Sequence, residues 1–487
     1  MKRIIRLFAA FTAFALLCGC KSTGTSVGGI TETAAMSGGN LDIYCYSAET
    51  YNPLFAVNKA NMYLSWICFE PLMKAADDRS AVTVLARGYF ISEDGLEWTV
   101  PLRDDVYWHD GTKFGSADVV KTCEVIMDNP DSVYAYNLSN VKKVEAHGGD
   151  TVKFYLNSPQ SGFADLLEFP IVKKEQCMVK KNFPMTGTGC FKYTGTENKC
   201  LKFEANEKWW GGKPSIKTVT ATMLPDKETS VYAFNSKVID VVPASIKDWS
   251  NYPSASDRGA EYTTGDFFYL KLNPASERLS DYETRRAIAR AIDKKALCDK
   301  ALLSHGVAAD TIMNPKWKFY SRDSAVTVYN PEKAREYVTE GFSLKLIVNS
   351  DSEIKANTAA MIRGFLGACG IDAQIVTLDW DNFTAAYGAG DYDIAVCETN
   401  YPPDLIPAAV TEGSVRAAEE IAALQSAGVD EERARHFAKL QTSINEELIV
   451  IPLFFDMGVL LYNENITGGL APTVNNIYND IHLWKLV

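Results

Sequence analysis

Cysteine and histidine are the side chains of this sequence with the widest range of chemistry, because they bind metals, attack substrates and carry protons. The 487 residues include eleven cysteines and five histidines. No two histidines stand in a His-Glu-x-x-His motif or at another helical spacing, which a zinc hydrolase needs. The histidines are His109, His147, His305, His436 and His482. We therefore expect neither a bound metal nor hydrolysis by a metal-activated water.

Motifs for nucleotide chemistry are also missing from the sequence. Neither a P-loop nor a Gly-x-Gly-x-x-Gly fingerprint occurs. The acidic pairs Glu419-Glu420 and Glu431-Glu432 are typical of solvated helix faces rather than of a catalytic dyad. The sequence predicts that the protein is not an enzyme and carries no cofactor, and a secreted hydrolase is the least favoured alternative.

The first two cysteines lie at the end of a predicted export signal. A positive start at Lys2 and Arg3 precedes an apolar stretch over 7–17, which is too short to span about 30 Å of hydrocarbon as a stable helix. The stretch ends in Leu-Cys-Gly-Cys, which resembles the bacterial lipobox. The resemblance implies that residues 1–19 are a lipoprotein signal peptide, that Cys18 is discarded, and that Cys20 is lipidated. A plain secretory signal is the alternative.

A flexible tether is predicted to follow the lipidated cysteine. Residues 20–40 are rich in Gly, Ser and Thr and show neither helical nor strand periodicity. The folded body then starts near Leu41. Since two or more acyl chains anchor a protein stably, we expect the body to be held at the cell membrane, on its outer face or periplasmic side.

Two further cysteines flank a predicted hairpin. Alternating segments on either side of 194–198 indicate two strands, and if these pair symmetrically, Cys190 and Cys200 face each other. A Cys190–Cys200 disulfide is therefore one prediction for this pair, and two free thiols are the other. An odd count of body cysteines and the lack of a Cys-x-x-Cys pair argue against a full disulfide framework or a zinc site.

The overall composition is that of a folded globular protein without a nucleic-acid partner. Hydrophobic residues make up 47% of the chain and charged residues 23%, which is enough to form a large core. Lys and Arg number 49 against 61 Asp and Glu, a net charge of -12. This balance disfavours a basic surface for nucleic acid.

Helices and strands alternate along the body, which predicts an α/β architecture. Helix starts are indicated by Ser116, by a capping box at Ser280 and by Asn330 before a proline. A helix over 353–369 is followed by a strand from Ile371. Further strands are predicted at 41–46, 98–102, 152–156, and on both sides of the hairpin turn.

A series of sequence blocks runs in fixed order through the body. These are DGLEWT (94–99), LRDDVYWHDGT (102–112), SADVV (116–120), GTG (187–189), NEKWWGGKP (206–214), RRAIARAID (285–293), NPEKA (330–334), GDYD (390–393) and IPL (451–453). Together they resemble the signature of the family 5 extracellular solute-binding proteins, the peptide and nickel receptors of ABC importers. The resemblance covers nearly the whole mature chain.

This resemblance implies a two-lobed, periplasmic-binding-protein-like fold of type II, with mixed sheets flanked by helices and a cleft between the lobes. Lobe I is expected over 41–265 plus 456–487, with a subdomain at about 76–185, and lobe II over 266–455. A ligand is captured between the lobes as they close by hinge motion.

The candidate cleft departs from both branches of the family. In peptide-binding relatives a tryptophan and an aspartate follow the GDYD block, and the aspartate pairs with the peptide ammonium group. Here Val396 and Thr399 stand at those positions, although Glu398 lies one residue away. The lost charge-assisted bond is worth about 1.5 to 3 kcal/mol. The arginine and tryptophan that hold a chelator in nickel-binding relatives fall near Ser132 and Ala135.

The wall candidates are residues whose aromatic faces, amides or carboxylates can bind sugars, peptides and chelates alike. Tyr401 also matches a cleft tyrosine of the nickel-binding branch. The full candidate set is Tyr46, Glu49, Asn52, Tyr134, Tyr136, Glu398, Thr399 and Tyr401.

The resemblance implies a lipid-anchored, monomeric binding protein that delivers an oligopeptide or a similar small polar solute to an ABC permease and ATPase complex. Two alternatives remain open. One is a surface receptor that binds a signalling peptide without import, and the other is a nickel or metal-chelate binding protein.

Overall fold

The structure is a computed structural model that describes residues 38–245, 247–255, 258–324 and 327–487. The predicted signal peptide, Cys20 and nearly all of the predicted tether lie outside the described residues. The strands are β1 (Asn40–Tyr46), β2 (Met73–Ala75), β3 (Ala81–Thr83), β4 (Phe90–Ile91), β5 (Glu97–Pro101), β6 (Val141–Ala146), β7 (Thr151–Leu156), β8 (Phe191–Glu197), β9 (Cys200–Ala205), β10 (Thr218–Leu224), β11 (Val241–Ser245), β12 (Gly259–Leu272), β13 (Val307–Ala308), β14 (Phe342–Asn349), β15 (Ile371–Leu378), β16 (Ile394–Asn400), β17 (Val450–Tyr462), β18 (Ile466–Thr467) and β19 (Lys485–Leu486).

The helices lie mostly in the second half of the chain. They are α1 (Lys59–Ser65), α2 (Ser116–Met127), α3 (Lys227–Asn235), α4 (Tyr282–Ala291), α5 (Lys294–Ala301), α6 (Pro331–Tyr337), α7 (Glu353–Gly367), α8 (Trp380–Ala389), α9 (Ala408–Thr411), α10 (Val415–Ser426) and α11 (Asp430–Glu447). In the described residues, no helix combines the length and the hydropathy that crossing a membrane requires.

Two four-stranded sheets belong to the part of the chain before residue 225, beside the two-stranded sheet of β2 and β3. One has the order β1-β10-β9-β8, in which β1 and β10 are parallel and the other neighbours antiparallel. The other has the order β4-β5-β7-β6 and is antiparallel throughout. This second sheet lies within the stretch predicted as a subdomain.

A larger mixed sheet contains strands from both lobes. Its order is β11-β17-β12-β16-β14-β15, and β13 pairs with the edge of β17. The long strands β12 and β17 pair antiparallel along their length and therefore carry the chain across from one lobe to the other. Their register slips between the pairs Thr263↔Met457 and Phe267↔Phe455, so three residues of β12 face one residue of β17. A bulge of this kind bends and twists the strands locally.

The buried core divides at these crossing strands. Two hydrophobic clusters draw their buried residues only from 41–255 and 457–486. Two others draw theirs only from 267–455. The fold is therefore the expected two-lobed α/β arrangement, and the exact lobe boundaries stay a prediction.

Helix starts follow the capping residues closely. Asn330 accepts a hydrogen bond from the Lys333 N–H at 2.9 Å and caps α6, as expected. Helix α4 is capped by Asp281, which accepts from the Thr284 N–H at 2.8 Å. The predicted cap Ser280 is therefore one residue too early, because aspartate in the next position fills the same role.

The predicted disulfide is wrong. The hairpin turns at Asn198 and Lys199, whose φ values of 50° and 60° belong to a two-residue turn of the type that matches strand twist. Cys200 follows this turn directly, whereas Cys190 precedes β8 and its carbonyl accepts from the Asn206 N–H at 2.8 Å, at the far end of the hairpin. All nine cysteines of the described residues are free thiols, and burial raises the pKa of Cys190.

Candidate ligand-binding site

A cavity of about 290 Å³ lies between the two lobes. Lobe I contributes side chains from α1, from the β2–β3 turn and from the segment after α2, while lobe II contributes the chain that leaves β16. The bulge of β12, where the crossing strands pair, reaches the cavity through Thr264. The lining residues are Met62, Trp66, Arg79, Val133, Tyr134, Tyr136, Asn137, Glu168, Thr264, Asn400, Tyr401, Pro402, Pro403, Val474 and Asn475.

Three predicted wall residues line this cavity, namely Tyr134, Tyr136 and Tyr401. Tyr136 is half exposed, and its hydroxyl donates across the lobes to Asp404 at 3.4 Å. Tyr401 is buried, and its hydroxyl donates to the Ile312 carbonyl, which leaves the ring as the part that faces other groups. The structure thus brings into one cavity lining three tyrosines from distant parts of the sequence.

The three candidates from the first strand and its turn lie outside the lining of this cavity. Tyr46 packs edge-on against Tyr44 with ring centroids 5.6 Å apart, and Glu49 is exposed. Asn52 is fully buried, and its amide donates to the carbonyls of Cys177 and Val179, each at 3.0 Å. The structure assigns Asn52 a structural role within lobe I, because all of its amide contacts are to backbone.

The two candidates from β16 also lie beside rather than in the cavity. Glu398 is 3.5 Å from the Lys355 ammonium, and burial raises the pKa of its carboxyl group. Thr399 pairs with Phe267 of β12, and the next residue, Asn400, lines the cavity instead. Successive strand residues point to opposite faces, which accounts for the difference of one position.

Arg79 is a wall residue that the sequence analysis missed. It sits in the β2–β3 turn with a φ of 63° and is only 7% exposed. Its guanidinium lies 5.2 Å from the ring centroid of Trp317 and donates to the Thr264 carbonyl at 3.2 Å. Burial lowers the pKa of Arg79, and the nearest carboxylates oppose that shift. The polar sequence Asp-Asp-Arg-Ser indicates only a turn and carries no signal for this position.

A buried ion cluster joins the lobes beside the cavity. The Asp165 carboxylate of lobe I is 3.0 Å from the Lys318 ammonium and 2.9 Å from the Arg433 guanidinium, both of lobe II. Asp404 lies next to this cluster, and burial raises the pKa of its carboxyl group. The Gln160 amide donates to Asp404 at 3.3 Å, so this side chain too links lobe II to lobe I.

The polar groups of the cavity are unevenly satisfied. Glu168 uses both carboxylate oxygens, accepting from the Ala75 N–H at 3.1 Å and from the Asn475 amide at 2.7 Å. By contrast, the Trp66 indole N–H and the Tyr134 hydroxyl are buried without a hydrogen-bond partner among the described residues. A buried donor without a partner costs free energy, and since neither atom has accessible surface, these two donors do not face the cavity.

Metal ligation finds no basis in the described part of the chain, which contains no cluster of three His, Cys, Asp or Glu side chains that could hold an ion. The cavity lining in that part also lacks a nucleophile paired with a base. The chemistry that its side chains can perform is binding through aromatic faces, a buried guanidinium and amides.

Comparison with known families gives one match over most of the chain. The sequence profile described as "Bacterial extracellular solute-binding proteins, family 5 Middle" matches residues 80–408. That span includes the β2–β3 turn, both tyrosines after α2 and the segment that leaves β16.

Similar proteins and structures agree with this match. The nickel-binding periplasmic protein of Escherichia coli K12 is 27% identical over 330 residues, covering 64% of this chain but only 62% of that protein. The dipeptide-binding protein of the same organism is 25% identical over 430 residues, covering 77% of this chain and 78% of that protein. The structure of HbpA2 from Haemophilus parasuis superposes with a TM-score of 0.78 at 20% identity, covering 92% and 100% of the two chains.

Proposed function

Because the chain belongs to the bacterial extracellular solute-binding proteins of family 5, we propose that it captures an oligopeptide or a similar small polar solute for an ABC importer. The observation that carries this proposal is the cavity between the lobes, at the level where β12 and β17 cross. Ligand sites lie preferentially at such domain interfaces.

The size and walls of the cavity support a small solute. Its volume of about 290 Å³ is at the lower end of the range of small-molecule pockets, which is roughly 300 to 1,000 Å³. Tyr134, Tyr136 and Tyr401 offer aromatic surface, and Arg79 and Asn400 offer polar groups. A few polar groups on an aromatic wall fix the orientation of a small ligand.

The lobe arrangement gives capture a physical mechanism. Trp66 and Arg79 belong to lobe I, whereas Asn400 and Pro402 belong to lobe II, so a ligand in the cavity contacts both. A ligand that contacts both walls stabilises the state in which the lobes are together, and the hinge equilibrium shifts by its differential affinity. The importer then receives the loaded form.

A metal chelate is the second candidate, favoured by the 27% identity to the nickel-binding protein. The described residues hold no cluster that would ligate a bare ion. An organic chelator would therefore provide the metal ligands, and the protein would bind the chelator through the same aromatic and cationic walls.

The test is to identify what the protein carries and what stabilises it. Native mass spectrometry of the full chain, purified from membranes in mild detergent, is followed by thermal shifts with peptides, sugars and nickel chelates. A true ligand at a hundredfold excess over its Kd stabilises the fold by about 2.7 kcal/mol, which raises Tm measurably. If peptides of every length leave Tm unchanged while another class raises it, the peptide assignment is wrong.

Membrane attachment through Cys20 is part of the same proposal. The Cys20→Ala variant is expected to lose its acyl chains and to move from the detergent phase to the aqueous phase on partitioning, because the acyl chains are the proposed anchor. Cys18→Ala is the matched control and should partition like the parent chain. Equal partitioning of both variants contradicts the lipid anchor.

A further inference from the structure

One surface of lobe I surrounds the point where the described chain begins. The Gly39 carbonyl accepts from the Lys217 N–H at 3.3 Å, and a Cβ atom at Gly38 would lie 3.3 Å from the Lys217 ammonium. The segment 482–487 packs against the same loop, because the His482 carbonyl accepts from the Ser215 N–H at 3.3 Å. We call the loop 206–217 and the segment 482–487 the root surface, since the predicted tether of residues 20–40 joins the body beside them.

The root surface is basic, although the chain as a whole has a net charge of -12. Its exposed charged side chains are four lysines and one glutamate, namely Lys208, Lys213, Lys217, Lys485 and Glu207. The Lys213 ammonium is 2.6 Å from the Glu207 carboxylate. The hydrogen bond from Lys213, with the charges of Lys217 and Lys192, lowers the pKa of Glu207, so these cations lie around one carboxylate. The surface therefore carries an excess of positive charge.

Apolar and aromatic side chains are exposed on the same surface. Leu483 and Val487 are 52% and 49% exposed, and the indoles of Trp209 and Trp210 are partly exposed. The Trp209 ring packs on the ring of His482 with centroids 4.9 Å apart, which joins the loop to the C-terminal segment. Lysines beside tryptophan and aliphatic side chains are typical of protein surfaces that lie in the headgroup region of a bilayer.

The proposed anchor keeps this surface close to the membrane. A tether over residues 20–40 has an expected span of about 25 Å, so its root stays within about that distance of the lipidated Cys20 whichever way the body turns. At contact, the lysines lie inside the screening length of about 8 Å at physiological ionic strength. Each lysine near an anionic bilayer then favours contact by about fivefold.

We propose that the root surface docks on anionic phospholipid, so that the anchored body lies with this face on the bilayer instead of turning freely on its tether. This inference rests on the proposed attachment through Cys20, to which it adds the face of the body and the chemistry of the lipid. The lysines are complementary in charge to anionic headgroups, whereas the acidic remainder of the body is repelled by them.

Lysine footprinting on vesicles identifies the docked face. The lipidated full chain is reconstituted on vesicles of phosphatidylcholine alone and of phosphatidylcholine mixed with phosphatidylglycerol, acetylated briefly and analysed by mass spectrometry. We expect Lys213, Lys217 and Lys485 to react at least about threefold more slowly on the anionic vesicles. Lys295 and Lys439, two exposed lysines of lobe II, should react equally on both. The difference should disappear in 1 M salt, where the screening length is about 3 Å.

Two double variants of equal net charge assign the effect to the root surface. Lys213→Glu/Lys217→Glu should remove the protection of Lys485 on anionic vesicles, because the local charge is reversed. Lys295→Glu/Lys439→Glu places the same charge change on lobe II and should keep that protection. All four substituted side chains are exposed, so both variants should fold with nearly the Tm of the parent chain.

Flotation with the vesicles separates this inference from the proposed anchor. If the parent chain floats with neither kind of vesicle, the anchor through Cys20 is wrong and docking falls with it. If it floats but the root lysines react equally on both, or if the two double variants behave alike, docking is wrong while the anchor stands. Protection that grows with protein density at constant lipid composition shows that a second copy covers the surface, and also overturns docking. Protection on anionic vesicles alone that is lost in Lys213→Glu/Lys217→Glu supports both.

Discussion

His109 illustrates how a single side chain fixes two loops at once. It lies in the turn closed by the Gly111 N–H donating to the Trp108 carbonyl at 2.8 Å. The buried ring also joins a distant segment. Its Nε2 is 2.9 Å from the Gly189 carbonyl, and its Nδ1 accepts from the Gly187 N–H at 3.2 Å. These two contacts require a neutral imidazole with the proton on Nε2.

Gly187 is needed at this contact for steric reasons. A Cβ atom there would lie 1.8 Å from the Cys68 carbonyl oxygen, which no rearrangement of a flexible side chain can relieve. The Gly-Thr-Gly block therefore serves close backbone packing inside lobe I.

The buried imidazole predicts a loss of stability in acid. Burial lowers the pKa of His109 to about 4, against 6.5 for a free imidazole, so the unfolded chain binds the proton more tightly. Its contribution is complete above pH 6.5 and is lost as pH falls toward 4, by about 3 kcal/mol in all. His109→Asn should show a shallower decline of unfolding free energy between pH 7 and pH 4 in denaturant titrations.

His147→Asn provides the control for this measurement, because that histidine is exposed. It should follow the parent protein at every pH. If His109→Asn and the parent chain lose stability in parallel as the pH falls, the imidazole is not the cause of the acid sensitivity.

The sequence predicted the kinds of side chain in the cavity wall better than it predicted which residues line the cavity. Tyr134, Tyr136 and Tyr401 line the cavity, in segments that the family resemblance had indicated, and their part in ligand binding stays a prediction. Asn52 was misplaced, since an asparagine before a proline looks the same whether it caps a turn or faces a ligand. Arg79 was missed because its burial comes from Trp317, a residue more than 200 positions away, and local sequence holds no trace of that contact.

At the scale of elements, the crossing strands determine where the molecule can bend. The β12 bulge places Thr264, Gly265 and Asp266 opposite Asp456 of β17. Gly265 has a φ of 108°, so the backbone conformation demands glycine, and a Cβ atom there would lie 2.9 Å from the Arg79 guanidinium and displace it. The residue pattern had predicted neither strand, and a bulge depends on pairing partners and cannot be read from one strand alone.

The Asp456 carboxylate, at the crossing strands, predicts a pH dependence of stability opposite in sign to that of His109. Burial, with Asp266 and Glu398 nearby, raises the pKa of Asp456 to about 6 from 3.8. A raised folded-state pKa means that stability is complete below pH 3.8 and is lost as the pH rises through 6, by about 3 kcal/mol. Asp456→Asn is therefore expected to be more stable than the parent at pH 7, and the difference should disappear near pH 4.

Chemical denaturation at pH 4, 5.5 and 7 measures this difference directly. Asp372→Asn, an exposed carboxylate of β15, is the comparison and should show a constant offset from the parent. An Asp456→Asn variant that is less stable than the parent at pH 7 would show that the carboxylate is needed in its charged form at the hinge.

At the scale of the whole molecule, the contacts between the lobes combine buried ion pairs with neutral hydrogen bonds. Beside the Asp165 cluster, the Ser161 hydroxyl donates to the Leu424 carbonyl at 2.7 Å, and the Lys318 N–H donates to the Asp78 carbonyl at 2.8 Å. The two-lobed plan followed from the family resemblance. These contacts could not be predicted, because they join residues up to 268 positions apart whose pairing depends on the lobe orientation.

Asp165 is therefore expected to control how far the lobes separate. Asp165→Asn leaves Lys318 buried without its carboxylate and Arg433 paired with Asp430 alone, and breaking a buried pair in this way costs about 3 to 5 kcal/mol in the state that holds it. Because hinge opening exposes both cations to water, the equilibrium shifts toward separated lobes and the apparent ligand affinity falls with the competent fraction. Small-angle scattering should show a larger radius of gyration for the variant. Asp299→Asn, which breaks the exposed pair with Lys295, should scatter like the parent, and an unchanged radius for Asp165→Asn would mean that the cluster does not hold the lobes together.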